Sequence, residues 1–61
     1  MNSSICESVA VLERAGFRLL AIILDGKCAK YRTETGEGRR YVFSASLGEV
    51  VSVSEGVREP V

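Results

Sequence analysis

The stretch FRLLAIILDGKCAKYR, residues 17–32, decides the fold. Phe17 to Leu24 is almost wholly apolar and carries no turn signal. Asp25-Gly26 follows, and an Asp-Gly pair between two strand-like runs is the strongest short-range hairpin signal. A two-residue turn centred on Asp25 and Gly26 pairs Leu24 with Lys27, Ile22 with Ala29 and Leu20 with Tyr31 on one sheet face. Ile23 with Cys28, Ala21 with Lys30 and Leu19 with Arg32 then share the other face.

Working outward towards the C-terminus, residues 34–38 (ETGEG) hold two glycines and no aliphatic side chain, which fits a flexible loop. Arg39 to Ala45 reads as a third strand, with Tyr41, Phe43 and Ala45 alternating against Arg40, Val42 and Ser44. Ser46-Leu47-Gly48 suits a three-residue hairpin loop with its glycine left-handed. Glu49 to Ser54 is then the expected fourth strand, with Val51 opposite Phe43. Residues 55–61 contain Gly56 and Pro60 and read as a tail.

Working outward towards the N-terminus, Ser4-Ile5-Cys6-Glu7 has the spacing of a capping box. Ile5, Val9 and Leu12 form a helical stripe at i, i+4 and i+7. Gly16 supplies a left-handed stop. The expected helix covers residues 5–15. The fold is therefore α+β, one domain over residues 1–61: a single N-terminal helix on one face of a three- to four-stranded antiparallel β-meander spanning residues 17–54.

These registers put Leu20, Ile22, Leu24, Ala29, Tyr31, Tyr41, Phe43, Val51 and Val53 against Ile5, Val9 and Leu12 as the core. The opposite face carries Leu19, Ala21, Ile23, Cys28, Lys30, Arg32, Arg40, Val42, Ser44, Val50, Ser52 and Ser54. One helix covers one side, and a solvated antiparallel face is normally polar at alternate positions. The first strand is apolar on both sides, which implies something outside the chain. Leu19, Ala21, Ile23, Val42 and Val50 are the expected contact residues for a partner or a second copy. The competing reading folds the tail over this patch.

At 61 residues the chain is short enough for its stability to need support. It holds two cysteines, no histidine and no CxxC, so a zinc site built on about four Cys/His ligands is not expected. No cofactor is expected either. A Cys6–Cys28 disulfide is open to the chain. The N-terminus lacks a basic signal region, and the apolar run Leu19 to Leu24 is too short to span a membrane. The expectation is a cytoplasmic protein with reduced thiols and no membrane contact, stabilised by oligomerisation.

The formal charge is zero, yet residues 14–40 carry seven basic and three acidic side chains, a local excess of +4. Neutrality overall argues against a dedicated nucleic-acid binder. Lys27, Lys30, Arg32, Arg39 and Arg40 are the residues such a binder would use. Asp25-Gly26-Lys27, Tyr31-Arg32, Arg39-Arg40-Tyr41 and Phe43 resemble the sheet hairpins of integrase arm-binding domains. That resemblance implies a ribbon laid in the DNA major groove. Those domains follow their sheet with a helix, whereas here the helix comes first, and both tyrosines face the core.

Catalysis has little to work with. Cys6 lies in the first helical turn, where a thiol pKa can fall, but a catalytic thiol also needs a base and the chain has no histidine. Gly36-Glu37-Gly38-Arg39-Arg40 joins two strands, whereas phosphate cradles lead into a helix N-terminus. No two carboxylates are placed to share a pocket. The expected function is a small non-enzymatic protein-interaction module of adaptor or inhibitor type, as phages and other mobile elements often encode. It is expected to be homo-oligomeric, and the alternative is a small nucleic-acid-binding regulator.

Overall fold

The hairpin forms where the sequence places it, with its turn moved by one residue. In the computed structural model, which describes residues 3–55 and 57–58, strand β1 is Phe17–Asp25 and strand β2 is Cys28–Thr35. Asp25 faces Cys28, so Gly26 and Lys27 make the turn rather than Asp25 and Gly26. Gly26 has φ +62°, and every left-handed residue among those described is a glycine. Positive φ at the first turn position alone defines a type II′ turn. This geometry spares Asp25 the left-handed backbone that a type I′ turn would impose on it. Partners move but faces hold: Ile22 meets Tyr31 and Leu24 meets Ala29 on one side, while Ile23 meets Lys30 on the other.

The faces change at Leu20. Ala21 pairs with Arg32 and Leu19 pairs with Thr33, so Leu20 is the extra residue of a β-bulge. The expectation that Leu19 lies on the outer face is therefore corrected. Phe17 and Leu19 turn towards the helix and pack against the core. An unbroken alternation would instead put Phe17 in solvent and Arg18 in the core, where an unpaired charge is costly. The Phe17 ring meets Phe43 edge-on at 5.0 Å and Tyr41 at 5.5 Å, a favoured aromatic geometry.

Strand β3, Arg40–Ser46, pairs with β2 and sets Phe43 opposite Tyr31. It starts one residue later than expected. The Thr35 N–H donates to the Arg39 carbonyl at 2.8 Å and the Gly38 N–H to the Thr35 carbonyl at 2.9 Å. Gly38, with φ +84°, closes this three-residue loop.

The expected fourth strand over Glu49 to Ser54 does not form. After the Ser46–Glu49 turn the chain leaves the sheet and runs against helix α1, Ser3–Arg14. This helix starts two residues earlier and ends one earlier than expected, so Ser4 lies inside its first turn rather than before it. The Gly48 N–H donates to Ser4 Oγ at 3.2 Å, and the Val51 N–H donates to Ser8 Oγ at 2.9 Å. The Val51 amide that a ladder with β3 would need is thus taken by Ser8, and Ser4, one helical turn earlier, holds the turn before it. Val53–Glu55 forms a short 3-10 helix, and β4, Val57–Arg58, pairs with Tyr41 and Val42 of β3. The expected tail therefore supplies β4, and residues 56 and 59–61 lie outside the described residues.

The result is α+β: one N-terminal helix on an open antiparallel sheet of order β1-β2-β3-β4, with three full strands. Leu12, Ala29, Tyr31, Phe43 and Val51 are buried, with Ile5 and Val9 packed beside them, as the helical stripe predicts. Val51 reaches the core as expected, but from an irregular segment rather than a strand. Leu20, Ile22 and Leu24, also expected in the core, are exposed. The reason is length. A 12-residue helix is about 18 Å long, and a nine-residue strand about 30 Å. One helix cannot cover β1 from end to end.

Candidate functional site

The exposed half of β1 is the least ordinary surface of the molecule. Leu20, Ile22, Ile23 and Leu24 keep 43, 38, 44 and 62% of their surface in solvent. Ile22 and Leu24 lie on the helix side, Ala21 and Ile23 on the outer side, and Leu20 sits in the bulge between. β1 is also the outer strand, and among the described residues it pairs with β2 alone. An outer strand presents a row of backbone N–H and C=O groups, and native sheets usually blunt such an edge with charge, proline or a bulge. Here the five residues from Leu20 to Leu24 carry neither charge nor proline, and the bulge at Leu20 is the one such device on the segment. Charges flank them: Arg18 Nη2 lies 3.0 Å from Glu34 Oε2, and Asp25 Oδ2 lies 4.0 Å from Lys30 Nζ.

The expected contact residues do not form one patch. Leu19 belongs to the core side. Ala21 and Ile23 belong to the exposed β1 segment. Val42 shares a row with Ala21 on the outer face, but Arg32 stands between them. Val50 is exposed but lies after β3, outside the sheet, lining a cleft of about 240 Å³ with Cys28, Ser44 and Ser52.

Comparison with protein-family models, with curated proteins and with solved structures gives no match. The functional reading therefore rests on the residues themselves.

Lys30, Arg32 and Arg40 share the outer face, as the sequence predicts. Lys27 lies in the hairpin turn and Arg39 beside the second loop. Acids are interleaved with them. Arg39 Nε lies 3.8 Å from Glu37 Oε2, and Glu34 sits in one row between Arg18 and Arg40. Tyr31 is buried, and Tyr41 is half-buried against Phe17. Neither ring is set out for stacking on a base, which a single-strand binder would need.

The Gly36 to Arg40 segment is a hairpin tip. Its Gly38 amide serves the turn, and the Arg39 amide donates to Thr35 Oγ1 at 3.2 Å. A cleft of about 380 Å³ beside it is lined by Gly16, Arg18, Glu34, Thr35, Gly36 and Gly38. Its one guanidinium is the Arg18 group already paired with Glu34. Both thiols, Cys6 and Cys28, are free and exposed. No described helix is long and apolar enough to cross a membrane.

Sequence reasoning missed two groups of residues. Ser4 and Ser8 hold the segment after β3, and only their i, i+4 spacing on the apolar helix face hinted at it. Leu20, Ile22 and Leu24 were assigned to the core, although the phase of F17-x-L19-x-x-I22-x-L24 slips at the bulge and could have flagged it.

Proposed function

We propose that this chain is a non-enzymatic protein-interaction module that docks through the exposed segment of β1. The observation that carries the reading is the run Leu20 to Leu24, exposed on the outermost strand with apolar side chains on both sides. Strand addition to such an edge supplies main-chain hydrogen bonds for affinity and side-chain contacts for specificity. Fully burying a large aliphatic side chain stabilises by roughly 1.5–3 kcal/mol, and docking gains the fraction of this that each of the four still leaves in solvent. This places the contact on Ala21, Ile23 and their neighbours along β1, rather than on the whole outer face.

The rival is a small nucleic-acid-binding regulator working through Lys30, Arg32 and Arg40. It is favoured by their common face and disfavoured by the interleaved acids. Salt separates the two. Apolar strand docking survives high salt, whereas phosphate binding weakens steeply with it. Titration of the protein into DNA, RNA and protein partners at low and high salt tests the reading. Salt-resistant association abolished by Ile23→Lys supports it. Salt-sensitive nucleic-acid binding abolished by Arg40→Glu and untouched by Ile23→Lys would replace it with the rival.

A further inference from the structure

The occupant of the β1 edge follows from its own charge pattern. We propose that two copies of this chain pair antiparallel through their β1 edges, with a two-fold axis at Ile22. The proposal rests on the docking reading above and names its partner.

Antiparallel neighbours share a face, so a correct register must match helix side to helix side and outer side to outer side. A two-fold at Ile22 sets Ile22 against Ile22 of the second copy, and Ala21 against its Ile23. Both matches respect the faces fixed by the β1–β2 pairing. The bulge at Leu20 then decides the strand's ends. With Leu20 as the extra residue, Leu24 lies opposite Leu19 of the second copy, and Asp25 lies opposite its Arg18. The bulge that turns Phe17 and Leu19 to the helix side thus keeps both faces in phase across the axis.

Charge selects this register over its neighbours. Arg18 and Asp25 bracket the aliphatic run and both lie on the outer face. In the register proposed, each Asp25 carboxylate meets an Arg18 guanidinium, twice per pair of chains. A two-fold at Ile23 instead also matches the faces, but sets each Asp25 against Ala21 and leaves Arg18 beyond the paired segment. The Arg18 and Asp25 side chains are about three-quarters exposed, and pairing across the axis requires them to share or exchange their present partners, Glu34 and Lys30 of the same chain. An isologous contact uses each residue twice, so Leu20, Ile22, Ile23 and Leu24 of both copies become lateral neighbours about one axis. The product is a continuous sheet running through both chains, with the edges that carry β4 at its outer ends.

Site-directed cross-linking tests the register directly. Cys6 and Cys28 are exposed, so a Cys6→Ser, Cys28→Ser background removes competing thiols from the surface. Residues facing each other across an antiparallel pair have Cα atoms about 4.5–5.5 Å apart, within disulfide reach. Residues one step from the axis on the same strand are roughly 8 Å from their own copies by the strand rise, beyond that reach. Ile22→Cys in this background should form a covalent dimer under mild oxidation, and Ile23→Cys alone should not. Mixing Ala21→Cys protein with Ile23→Cys protein should cross-link the two to each other. This second arm holds even if Ile22→Cys disturbs folding. Cross-linking of Ile23→Cys with itself, and none at Ile22→Cys, would overturn the register. A sedimentation mass of one chain with no cross-link in either arm would overturn self-pairing. The docking reading then survives only if the same protein keeps salt-resistant binding to a different partner that Ile23→Lys abolishes.

Discussion

The two edges of the sheet are built in opposite ways. At the β3 edge, β4 pairs with Tyr41 and Val42, and Ser4 and Ser8 receive the amides of Gly48 and Val51. On that side β4 covers two residues of β3, and the segment leading to it is held by side-chain hydroxyls of the helix. At the β1 edge, four exposed aliphatic residues lie along an outer strand. Hydroxyl groups tie the segment between β3 and β4 to the helix, whereas the β1 edge stays apolar. A domain of this size buries only about 60% of the surface its unfolded chain exposes, so covering an apolar edge with a second molecule adds to its stability. On the proposed function, this contrast separates a structural edge from a docking edge.

The strongest way to break this contrast is to disturb the hairpin that holds β1 in place. Gly26→Val puts a β-branched residue at φ +62°. An added Cβ there meets no atom within 4 Å, so the cost is conformational rather than steric. Stability should fall by about 1–3 kcal/mol, the usual cost of such a backbone state, with a lower midpoint in urea. An unchanged midpoint would mean the turn has a different geometry.

The closed edge should be nearly as sensitive. Ser8 is fully buried, and its hydroxyl accepts the Val51 N–H at 2.9 Å. Ser8→Ala leaves a buried donor without its acceptor and should cost about 1–3 kcal/mol. The amide of Val51 should also exchange faster with solvent. Ser8→Thr keeps the hydroxyl and should lose less if the extra methyl is accommodated.

Ser4→Ala should cost about 1 kcal/mol. Its hydroxyl lies inside the first turn of the helix and accepts the Gly48 N–H at a longer 3.2 Å, and one such hydrogen bond contributes about 1 kcal/mol net. A thermal melt shifted less than that of Ser8→Ala is the expected result. The smallest effect belongs to the thiols. Cys6→Ser with Cys28→Ser changes two exposed side chains, and surface changes of this kind usually stay within about 0.5 kcal/mol. Reductant should leave the parent's melt unchanged.

Much of this architecture was legible in the residues. Ile5, Val9, Leu12, Gly16 and the Asp25-Gly26 pair specify the helix, its end and the hairpin through local rules. Tyr31 and Phe43 fall on one face because the β2–β3 alternation is clean. Two things were not local. The bulge at Leu20 arises because Phe17, Leu19, Ile22 and Leu24 compete for one face while Arg18 must leave it, and an all-aliphatic run hides the slip. The fate of residues 49–52 depends on Ser4 and Ser8, which lie more than 40 residues away in sequence. The candidate surface was half legible. Ala21 and Ile23 follow from hairpin parity. Leu20, Ile22 and Leu24 emerge only when the reach of one helix is set against the length of β1.

The central claim is that the exposed half of β1 is a docking surface rather than part of this chain's own core. Sedimentation and circular dichroism on one sample of Ile23→Lys test it most directly. The account predicts an unchanged helix and sheet spectrum with a lower melt, because the stabilisation supplied by the second copy is lost. It predicts a fall in mass from the parent's associated state to a single chain. An outright unfolded Ile23→Lys would contradict it, because Ile23 would then belong to the core. A folded variant with the parent's mass and the parent's partners would contradict it equally, because the β1 edge would then be only solvated surface.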